Sequence, residues 1–279
     1  MNKPIHPCLW FDNQAKDVAE FYCSVFDNSK ITSDTPVVVN FELNGQKFIA
    51  LNGGPKVKIN PSVSFYVVCE TEDDTSNVWN KLMEGGKALM PLDKYPWSEK
   101  YGWLEDKFGV SWQISFGKME DVGQKFTPLL MFIGAYHGKA EDAINFYTSI
   151  FQHSSIKGIL YNKEGEGGVA GTVQHAQFKL NDYVMMVMDS SYPHQFSMNE
   201  AVSFVVSCDT QKEIDYYWNK LTEGGEESMC GWVKDKFGVW WQILPSILEQ
   251  LMKDPARSER VTKAFLQMRK FEINKLLNA

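Results

Sequence analysis

The pattern of hydrophobic and polar positions predicts a strand, a helix and further strands at the start of the chain. Residues 7–11 form a short apolar run, which is typical of a buried strand. Over residues 15–26 the apolar side chains recur at helical spacing. Residues 37–43 are rich in β-branched side chains, and an Asn-Gly turn separates them from the returning strand at residues 47–51.

The same order of elements follows directly. Residues 62–68 read as a strand, and residues 73–83 as a helix that begins near an aspartate and stops at the glycine pair 85–86. Residues 101–106 and 110–116 then form two strands joined by an Asp-Lys-Phe-Gly turn. The first part of the chain is therefore predicted to hold two βαβββ modules.

Both modules return later in the chain. Residues 15–26 return as 140–151, residues 62–86 as 201–225, and residues 102–114 as 231–243. The number of residues between matching segments varies only as much as loop insertions would produce. The chain is therefore a tandem duplication of domain-sized copies. We predict a first domain at residues 1–118, a linker at 119–125, a second domain at 126–246 and a helical tail at 247–279.

The tail has no counterpart in the first copy. Its apolar residues recur at helical spacing on both sides of Asp254-Pro255, so we predict two helices that are broken there. Their apolar side is expected to dock on the body of the protein.

Composition narrows the class of protein. The chain has 279 residues, 44% of them hydrophobic and 23% charged, which fits two globular domains. A formal net charge of −7 disfavours a nucleic-acid partner. With no membrane-length apolar run and no signal peptide, we expect a cytoplasmic protein without membrane contact. The five cysteines form no C-x-x-C pair, and Cys69 and Cys208 are expected to be small core residues.

Four segments carry a resemblance to a known family: HPCLWFDNQAKDVAEFYCSVF, YGWLEDKFGVSWQI, CGWVKDKFGVWWQI and AFLQMRKFEINKL. With their paired βαβββ modules they resemble the PhnB-like branch of the vicinal oxygen chelate superfamily, which includes glyoxalase I, bleomycin-resistance proteins and extradiol dioxygenases. Members of that branch are often labelled 3-demethylubiquinone-9 3-methyltransferase. The resemblance implies an α+β fold of tandem glyoxalase-like domains, each with two modules in a curled mixed sheet, plus a C-terminal helical tail.

The resemblance also implies where a metal site would lie, because the superfamily's metalloenzymes take ligands from the first and last strands of their modules. Those positions fall at His6 and Gln113 in the first copy and at Thr127 and Gln242 in the second. Neutral ligands without a carboxylate hold a divalent ion poorly, so we expect no metal and no other cofactor. The methyltransferase label also lacks support, because the glycine cluster at residues 165–171 precedes a strand rather than a helix.

Strand alternation predicts which side chains line a ligand pocket on the concave faces. The predicted lining residues are His6, Trp10, Ser64, Tyr66, Ser111 and Gln113 in the first copy, and Thr127, Ser203 and Gln242 in the second. Aromatic area with a few polar groups suits a small molecule. If only one copy binds, the more aromatic first copy is expected to do so, with Trp10 contributing more than the matching Met131.

Other patterns are attributed to structure. Trp112 and Trp241 fall on the opposite strand face, against the helices, and are expected to be core residues. Asp106 and Asp235 are expected to cap turns in which glycine supplies a positive φ. His175 lies in a strand without an acidic neighbour and is expected to be structural, whereas Trp103 and Trp232 fit either a cavity mouth or simple packing.

Two functions remain open at this point, and a third, blander possibility is a duplicated scaffold with a single usable cavity. The first function is metal-free binding or sequestering of a small molecule, as in bleomycin-resistance relatives. The alternative is a lyase, isomerase or dioxygenase that acts on a small oxygenated substrate, with His6 and Gln113 as remnants of its site. Each copy is expected to form its own eight-stranded sheet, and the copies to pack as an internal pseudo-dimer, with a further homodimer left open.

Overall fold

The computed structural model describes residues 5–165 and 167–279, which form sixteen strands and eight α-helices. These residues divide into two compact units. The larger unit is residues 8–202, and the smaller unit joins the described start of the chain to residues 203–279.

The first module of the chain supplies four neighbouring strands of the first sheet. Its elements are β1 (His6–Phe11), α1 (Ala15–Val25), β2 (Ser29–Asp34), β3 (Val38–Leu43) and β4 (Gln46–Asn52). The strand order is β1-β4-β3-β2, with β1 parallel to β4 and the other pairs antiparallel. All but the start of β1 lies in the larger unit.

The second sheet lies wholly in the larger unit and takes one module from each copy. The first copy gives β5 (Val63–Cys69), α2 (Glu72–Met83), β6 (Lys87–Tyr95), β7 (Ser98–Glu105) and β8 (Ser111–Phe116). A short helix, α3 (Met119–Val122), leads to β9 (Phe126–Phe132), α4 (Ala140–Ile150), β10 (Ser155–Tyr161), β11 (Val173–Leu180) and β12 (Tyr183–Asp189) of the second copy. The strand order is β10-β11-β12-β9-β5-β8-β7-β6.

This order shows that the expectation of one eight-stranded sheet per copy is wrong. Strands β5 and β9 come from different copies, yet they pair antiparallel, with Tyr66 opposite Thr127. The first strands of all modules have similar alternation, which fixes the face on which a side chain lies but not the neighbouring strand. The tandem domains therefore share a sheet through exchanged modules, which supports an internal pseudo-dimer.

Two equivalent loops of the larger unit also contact each other reciprocally. Asn60 Nδ2 donates to the Ser197 carbonyl at 3.0 Å, and Asn199 Nδ2 donates to the Lys58 carbonyl at 2.9 Å. Asn199 follows Asn60, and Ser197 follows Lys58, by the same 139 positions. Such an exchange of equivalent contacts is the property of an isologous, two-fold interface.

Aromatic side chains fill the core of the larger unit on the helix-covered sheet faces. Trp112 of β8 is fully buried, and its ring meets Tyr22 of α1 edge-on at 5.1 Å. Phe48 of β4 lies 5.5 Å from Phe65 and 5.8 Å from Phe126, measured between ring centroids. The prediction that Trp112 belongs to the core is confirmed.

The Asp-Lys-Phe-Gly turn has the structural role that the sequence predicts. The buried Asp106 carboxylate accepts hydrogen bonds from the backbone N–H groups of Phe108 at 2.9 Å and Val110 at 3.0 Å. Gly109 has a φ of +84°, which a side chain would strain. Asp235 makes the equivalent contacts in the smaller unit.

The smaller unit contains the last module and the tail. Its module is β13 (Val202–Cys208), α5 (Gln211–Thr222), β14 (Glu226–Glu227), β15 (Trp232–Lys234) and β16 (Trp240–Pro245), with strand order β14-β15-β16-β13. The tail forms α6 (Leu248–Lys253), α7 (Pro255–Phe265) and α8 (Ile273–Leu277). The predicted break at Asp254-Pro255 is confirmed, and α8 was not predicted.

The tail docks on the last module, as expected. The backbone N–H groups of Cys230 and Gly231 donate to the carbonyls of Met268 and Arg269, both at 2.7 Å. Phe271 is buried against Gly231. The equivalent stretch of the first copy, β7, instead pairs with the long strand β6. The tail thus bonds the two residues that precede β15, for which the short strand β14 provides no partner.

Two smaller expectations can also be compared with the structure. The five cysteines are free thiols, and Cys69 and Cys208 are buried, as predicted. Within the described part of the chain, no helix is both long and apolar enough to cross a membrane.

Candidate functional site

The second sheet has one face covered by α2 and α4 and an opposite face, which we call the inner face. Ser64 of β5 lies beside Ser111 of β8. Tyr66 lies between Gln113 of β8 and Thr127 of β9. Because side chains alternate along a strand, all five share the inner face. The structure thus brings together five of the nine predicted site residues.

A buried hydrogen-bond network links the polar side chains of this face. The Tyr101 hydroxyl donates to Gln113 Oε1 at 2.8 Å, and Gln113 Nε2 donates to Ser64 Oγ at 2.8 Å. Trp103 Nε1 donates to Ser111 Oγ at 2.7 Å. The network fixes the orientation of the Gln113 amide, whose oxygen keeps a second lone pair for a further donor.

The sequence pattern did not assign Tyr101 to the site, and it left the position of Trp103 open between a cavity mouth and simple packing. They flank Gly102 on β7, and the register places Trp103 beside Gln113 and Tyr101 beside Ser115. Their alternation with a glycine was the signal that could have assigned both rings to one face. Trp103 therefore lines the inner face rather than packing against the helices.

The tyrosines of the inner face are neutral hydroxyl groups. Burial raises the pKa of Tyr66, and the hydrogen bond with Ser115 opposes that shift. Burial also raises the pKa of Tyr101, and the neighbouring Tyr66 and Tyr95 add to the effect. Both side chains therefore act as hydrogen-bond donors at neutral pH.

Apolar side chains form the other half of the inner face. The buried members of this cluster are Val68, Val122, Leu129, Met131, Ile133 and Met186, and Tyr66, Trp103, Met119, Met188 and Phe196 pack against it. Methionine side chains adapt their shape to irregular contacts more easily than branched side chains do. The cluster can therefore repack around molecules of different outline.

Two segments cover the apolar cluster. Helix α3 contributes Met119 and Val122, and residues 190–200 contribute Phe196. The Phe196 ring lies 4.9 Å from the His194 ring, and His194 hydrogen-bonds Ser190 Oγ at 3.0 Å. We call residues 190–200 the covering segment.

His175 of β11 also lies on the inner face. It is two residues from Gln177, which pairs with Met186 and donates to the Val122 carbonyl of α3 at 2.8 Å. Burial lowers the pKa of His175, which favours a neutral imidazole. The sequence left this residue out of the site because no acid lies near it in the chain.

The remaining predicted residues lie on the first sheet. Trp10 of β1 donates through Nε1 to the Gly54 carbonyl at 2.8 Å, and its ring lies against Gly53. His6 is buried on the same strand. The predicted pocket that combined His6 and Trp10 with Tyr66 and Gln113 is therefore wrong, because β1 belongs to one sheet and β5 and β8 to the other.

The smaller unit repeats part of the network with less polar surroundings. Gln242 Nε2 donates to Ser203 Oγ at 2.9 Å, as Gln113 does to Ser64. Val205 stands at the position of Tyr66, two residues after the serine. Cys230 stands at the position of Tyr101. This site therefore has two aromatic hydroxyls fewer.

The donor set of the inner face does not fit the divalent metal that the superfamily's enzymes hold. In the described part of the chain, no three His, Cys, Asp or Glu side chains converge as a metal site would require. Gln113 Oε1 already accepts a hydrogen bond, and Ser64 and Thr127 are weak neutral ligands. Without a carboxylate or a thiolate, these residues cannot replace the hydration shell of the ion.

A small cavity of about 150 Å³ adjoins the apolar cluster. It lies between Gly167-Gly168 and the residues 188–192, so Met188 borders both the cavity and the cluster. The cavity therefore adjoins the edge of the apolar cluster at β12.

Comparisons with known proteins agree with this architecture. The model of a family described as 3-demethylubiquinone-9 3-methyltransferase matches residues 3–115 and 124–244. Comparison with curated proteins gives no match.

Among solved structures, a putative 3-demethylubiquinone-9 3-methyltransferase, PhnB protein, from Bacillus cereus is 39% identical, covering 39% of this chain and 96% of its own, with a TM-score of 0.38. Glyoxalase I from Zea mays is 12% identical, covering 90% of this chain and 95% of its own, with a TM-score of 0.59. The second match shows a shared tandem glyoxalase fold.

Proposed function

The chain belongs to the 3-demethylubiquinone-9 3-methyltransferase family, and from this premise we propose that it is a metal-free protein that binds or sequesters a small molecule. The binding site is the inner face of the second sheet. The observation that carries the proposal is the buried Tyr101–Gln113–Ser64 network beside a methionine-rich apolar cluster. An apolar surface with a few fixed polar groups suits a ligand with an apolar body and one oxygen function.

The methyl transfer in the family's description finds no support in the residues of this chain. The glycine cluster from Gly165 to Gly171 lies between β10 and β11, two antiparallel strands. An adenosyl or dinucleotide site uses glycines that lead from a strand into the N-terminus of a helix. The cluster therefore favours a loop that borders the small cavity over a cofactor loop.

Access to the apolar cluster requires the covering segment to move. Its residues are exposed or half-buried, and it is held by the Phe196 ring and by single hydrogen bonds such as Asn60 to the Ser197 carbonyl. A segment with few buried apolar contacts opens at low free-energy cost. Displacement of Phe196 exposes the methionines beneath it to an incoming apolar group.

The purified protein is expected to carry no stoichiometric divalent metal, because the inner face offers no anionic ligand. Elemental analysis after dialysis without a chelator measures this directly. Dialysis against a chelator is expected to leave both the melting temperature and ligand binding unchanged. About one zinc, nickel or iron per chain would instead support the superfamily enzyme that acts on a small oxygenated substrate.

Gln113→Leu is expected to weaken binding of an apolar alcohol by about fivefold, because a hydrogen bond to a neutral group contributes roughly 1 kcal/mol. Ligands are found by their effect on the melting temperature, and affinity is then measured by calorimetry.

Gln242→Leu is the matched control, since it removes the equivalent amide, which donates to Ser203 in the smaller unit. Its affinity for the same ligand is expected to stay within twofold of the parent. Equal losses in the two variants, or no loss in either, would contradict the assignment of the site to the inner face.

A further inference from the structure

The hairpin formed by β6 and β7 is longer than its counterpart in the second copy. Sixteen positions separate Gly86 from Gly102, but only six separate the equivalent Gly225 and Gly231. The ten additional residues include Tyr95 and Trp97 at the hairpin tip, for which the second copy has no equivalents.

Three aromatic rings are in mutual contact at this tip. The Trp97 ring stacks on Tyr95 with centroids 5.1 Å apart and an interplanar angle of 25°. Tyr101 meets both rings edge-on, at 5.8 Å from Trp97 and 5.6 Å from Tyr95. Trp97 is nevertheless 64% exposed, so one side of an ordered indole is available to solvent.

The aromatic group is continuous with the inner face. Tyr101 belongs to both, because its ring contacts Trp97 while its hydroxyl donates to Gln113. Ser98, the residue after Trp97 in the hairpin, lies 3.2 Å from Ser115 Oγ of β8. A molecule held by the Gln113 network therefore has an aromatic path from that network to solvent.

The charges of the hairpin pair with each other or with neighbouring groups. Lys94 forms an ion pair with Glu99 at 2.7 Å. Lys100 donates to Ser76 Oγ at 2.7 Å and lies 3.7 Å from Glu72. The surroundings of the indole thus carry no excess charge of one sign, which favours a neutral ligand over an ionic one.

We propose that Trp97, supported by Tyr95 and Tyr101, stacks on the planar aromatic ring of a neutral ligand whose oxygen function is held by the Gln113 network. This inference rests on the proposed function and specifies its substrate class. The indole provides a large flat surface, and stacking with offset or edge-on geometry adds attraction beyond the buried area. A saturated ring of similar outline gains the apolar contact but not the stacking.

Calorimetric titration with 2-naphthol and with its saturated analogue decahydro-2-naphthol tests this inference in the full chain. The parent protein is expected to bind 2-naphthol more tightly. Trp97→Leu is expected to weaken 2-naphthol binding by about tenfold and to leave decahydro-2-naphthol within twofold. Trp97→Phe is expected to restore most of the lost affinity, because it keeps an aromatic ring at the tip.

Control variants separate the failure of this inference from the failure of the proposed function. Tyr216→Leu removes an exposed aromatic ring from α5 and is expected to change neither affinity. If Gln113→Leu weakens both compounds while Trp97→Leu weakens neither, the inner face binds ligand but the stacking role is wrong. If neither compound binds, or if Gln113→Leu affects neither, both proposals fail.

A protein partner would give a different result. If Trp97→Leu changes the sedimentation mass of the protein but not the affinity for 2-naphthol, the hairpin is a contact between copies of the chain. That outcome overturns the ligand-stacking role.

Discussion

Asp106→Ala is expected to destabilise the protein by about 3–5 kcal/mol, because it leaves several buried donors without an acceptor. Asp106 is 4% exposed, and its Oδ2 accepts from the Tyr22 hydroxyl at 2.7 Å and from Trp112 Nε1 at 2.8 Å. Its Oδ1 accepts from the backbone N–H groups of Phe108 and Val110. Urea denaturation, monitored by tryptophan fluorescence, measures the change in the free energy of unfolding.

Asparagine at this position is expected to restore little of the lost stability. The amide nitrogen of asparagine is a donor, and it would face either the two side-chain donors or the two backbone donors. One pair of donors would therefore lose its acceptor. Burial raises the pKa of Asp106, whereas the hydrogen bonds from Tyr22, Trp112 and the turn backbone oppose that shift. Both oxygens are thus needed as acceptors, which an amide cannot provide.

Two controls define the size of the Asp106 effect. Tyr22→Phe removes one of the four donors and is expected to cost about 1 kcal/mol. Asp235→Ala breaks the equivalent turn in the smaller unit, where Trp241 Nε1 donates at 2.8 Å. A loss below 1 kcal/mol for Asp106→Ala would show that the turn does not depend on this carboxylate.

The role of Asp106 could be predicted because turn chemistry is local. The same is true of the helices and of the buried strands, whose alternation placed Trp112 on the helix side and Gln113 on the inner face. Helix α1 was expected at residues 15–26 and is observed at Ala15–Val25. In each case neighbouring positions in the chain contain the whole signal.

Edge strands were harder to predict. Strands β6 and β10 lie at the two ends of the second sheet and expose side chains on both faces, so they lack a continuous hydrophobic alternation. Helix α3 was hidden in the predicted linker for a related reason, since four residues are too few to show a period.

Strand pairing between modules could not be predicted at all. Ser64 and Tyr66 of β5 were assigned to the correct face, but their neighbour on β9 comes from the second copy. His6 and Trp10 were therefore grouped with the wrong sheet. The parts of the candidate site that depend on alternation were found, and those that depend on the partner strand were not.

The site residues that the sequence missed share a second property. Tyr101 and His175 acquire their positions through long-range contacts, with Gln113 across a hairpin and with the apolar cluster across β12. In the chain they appear as single polar residues in strands, a pattern that is usually structural. Only the register shows that both lie on the inner face.

Phe271→Ala is expected to cost about 3–5 kcal/mol of stability, the usual range for deleting a buried phenyl ring. Phe271 is 1% exposed, and its ring occupies the space where a side chain at Gly231 would lie. Its carbonyl accepts from Gln211 Nε2 at 3.0 Å, and Gln211 Oε1 accepts from the Ile273 N–H at 2.9 Å. The side chain thus fixes the segment that supplies the Met268 and Arg269 carbonyls to the two residues before β15.

Leu266→Ala is the matched control in the same tail, because Leu266 is 55% exposed and its truncation is expected to change stability by less than about 0.5 kcal/mol. Thermal and urea denaturation of both variants measure the difference. In the first copy the long strand β6 pairs with the equivalent residues, and in the second copy the tail takes its place. Phe271→Ala must then also speed amide exchange at Cys230 and Gly231, because their N–H groups lose their ordered acceptors. A stability loss without faster exchange at these two amides would mean that Phe271 fills space but does not hold the tail on the strand.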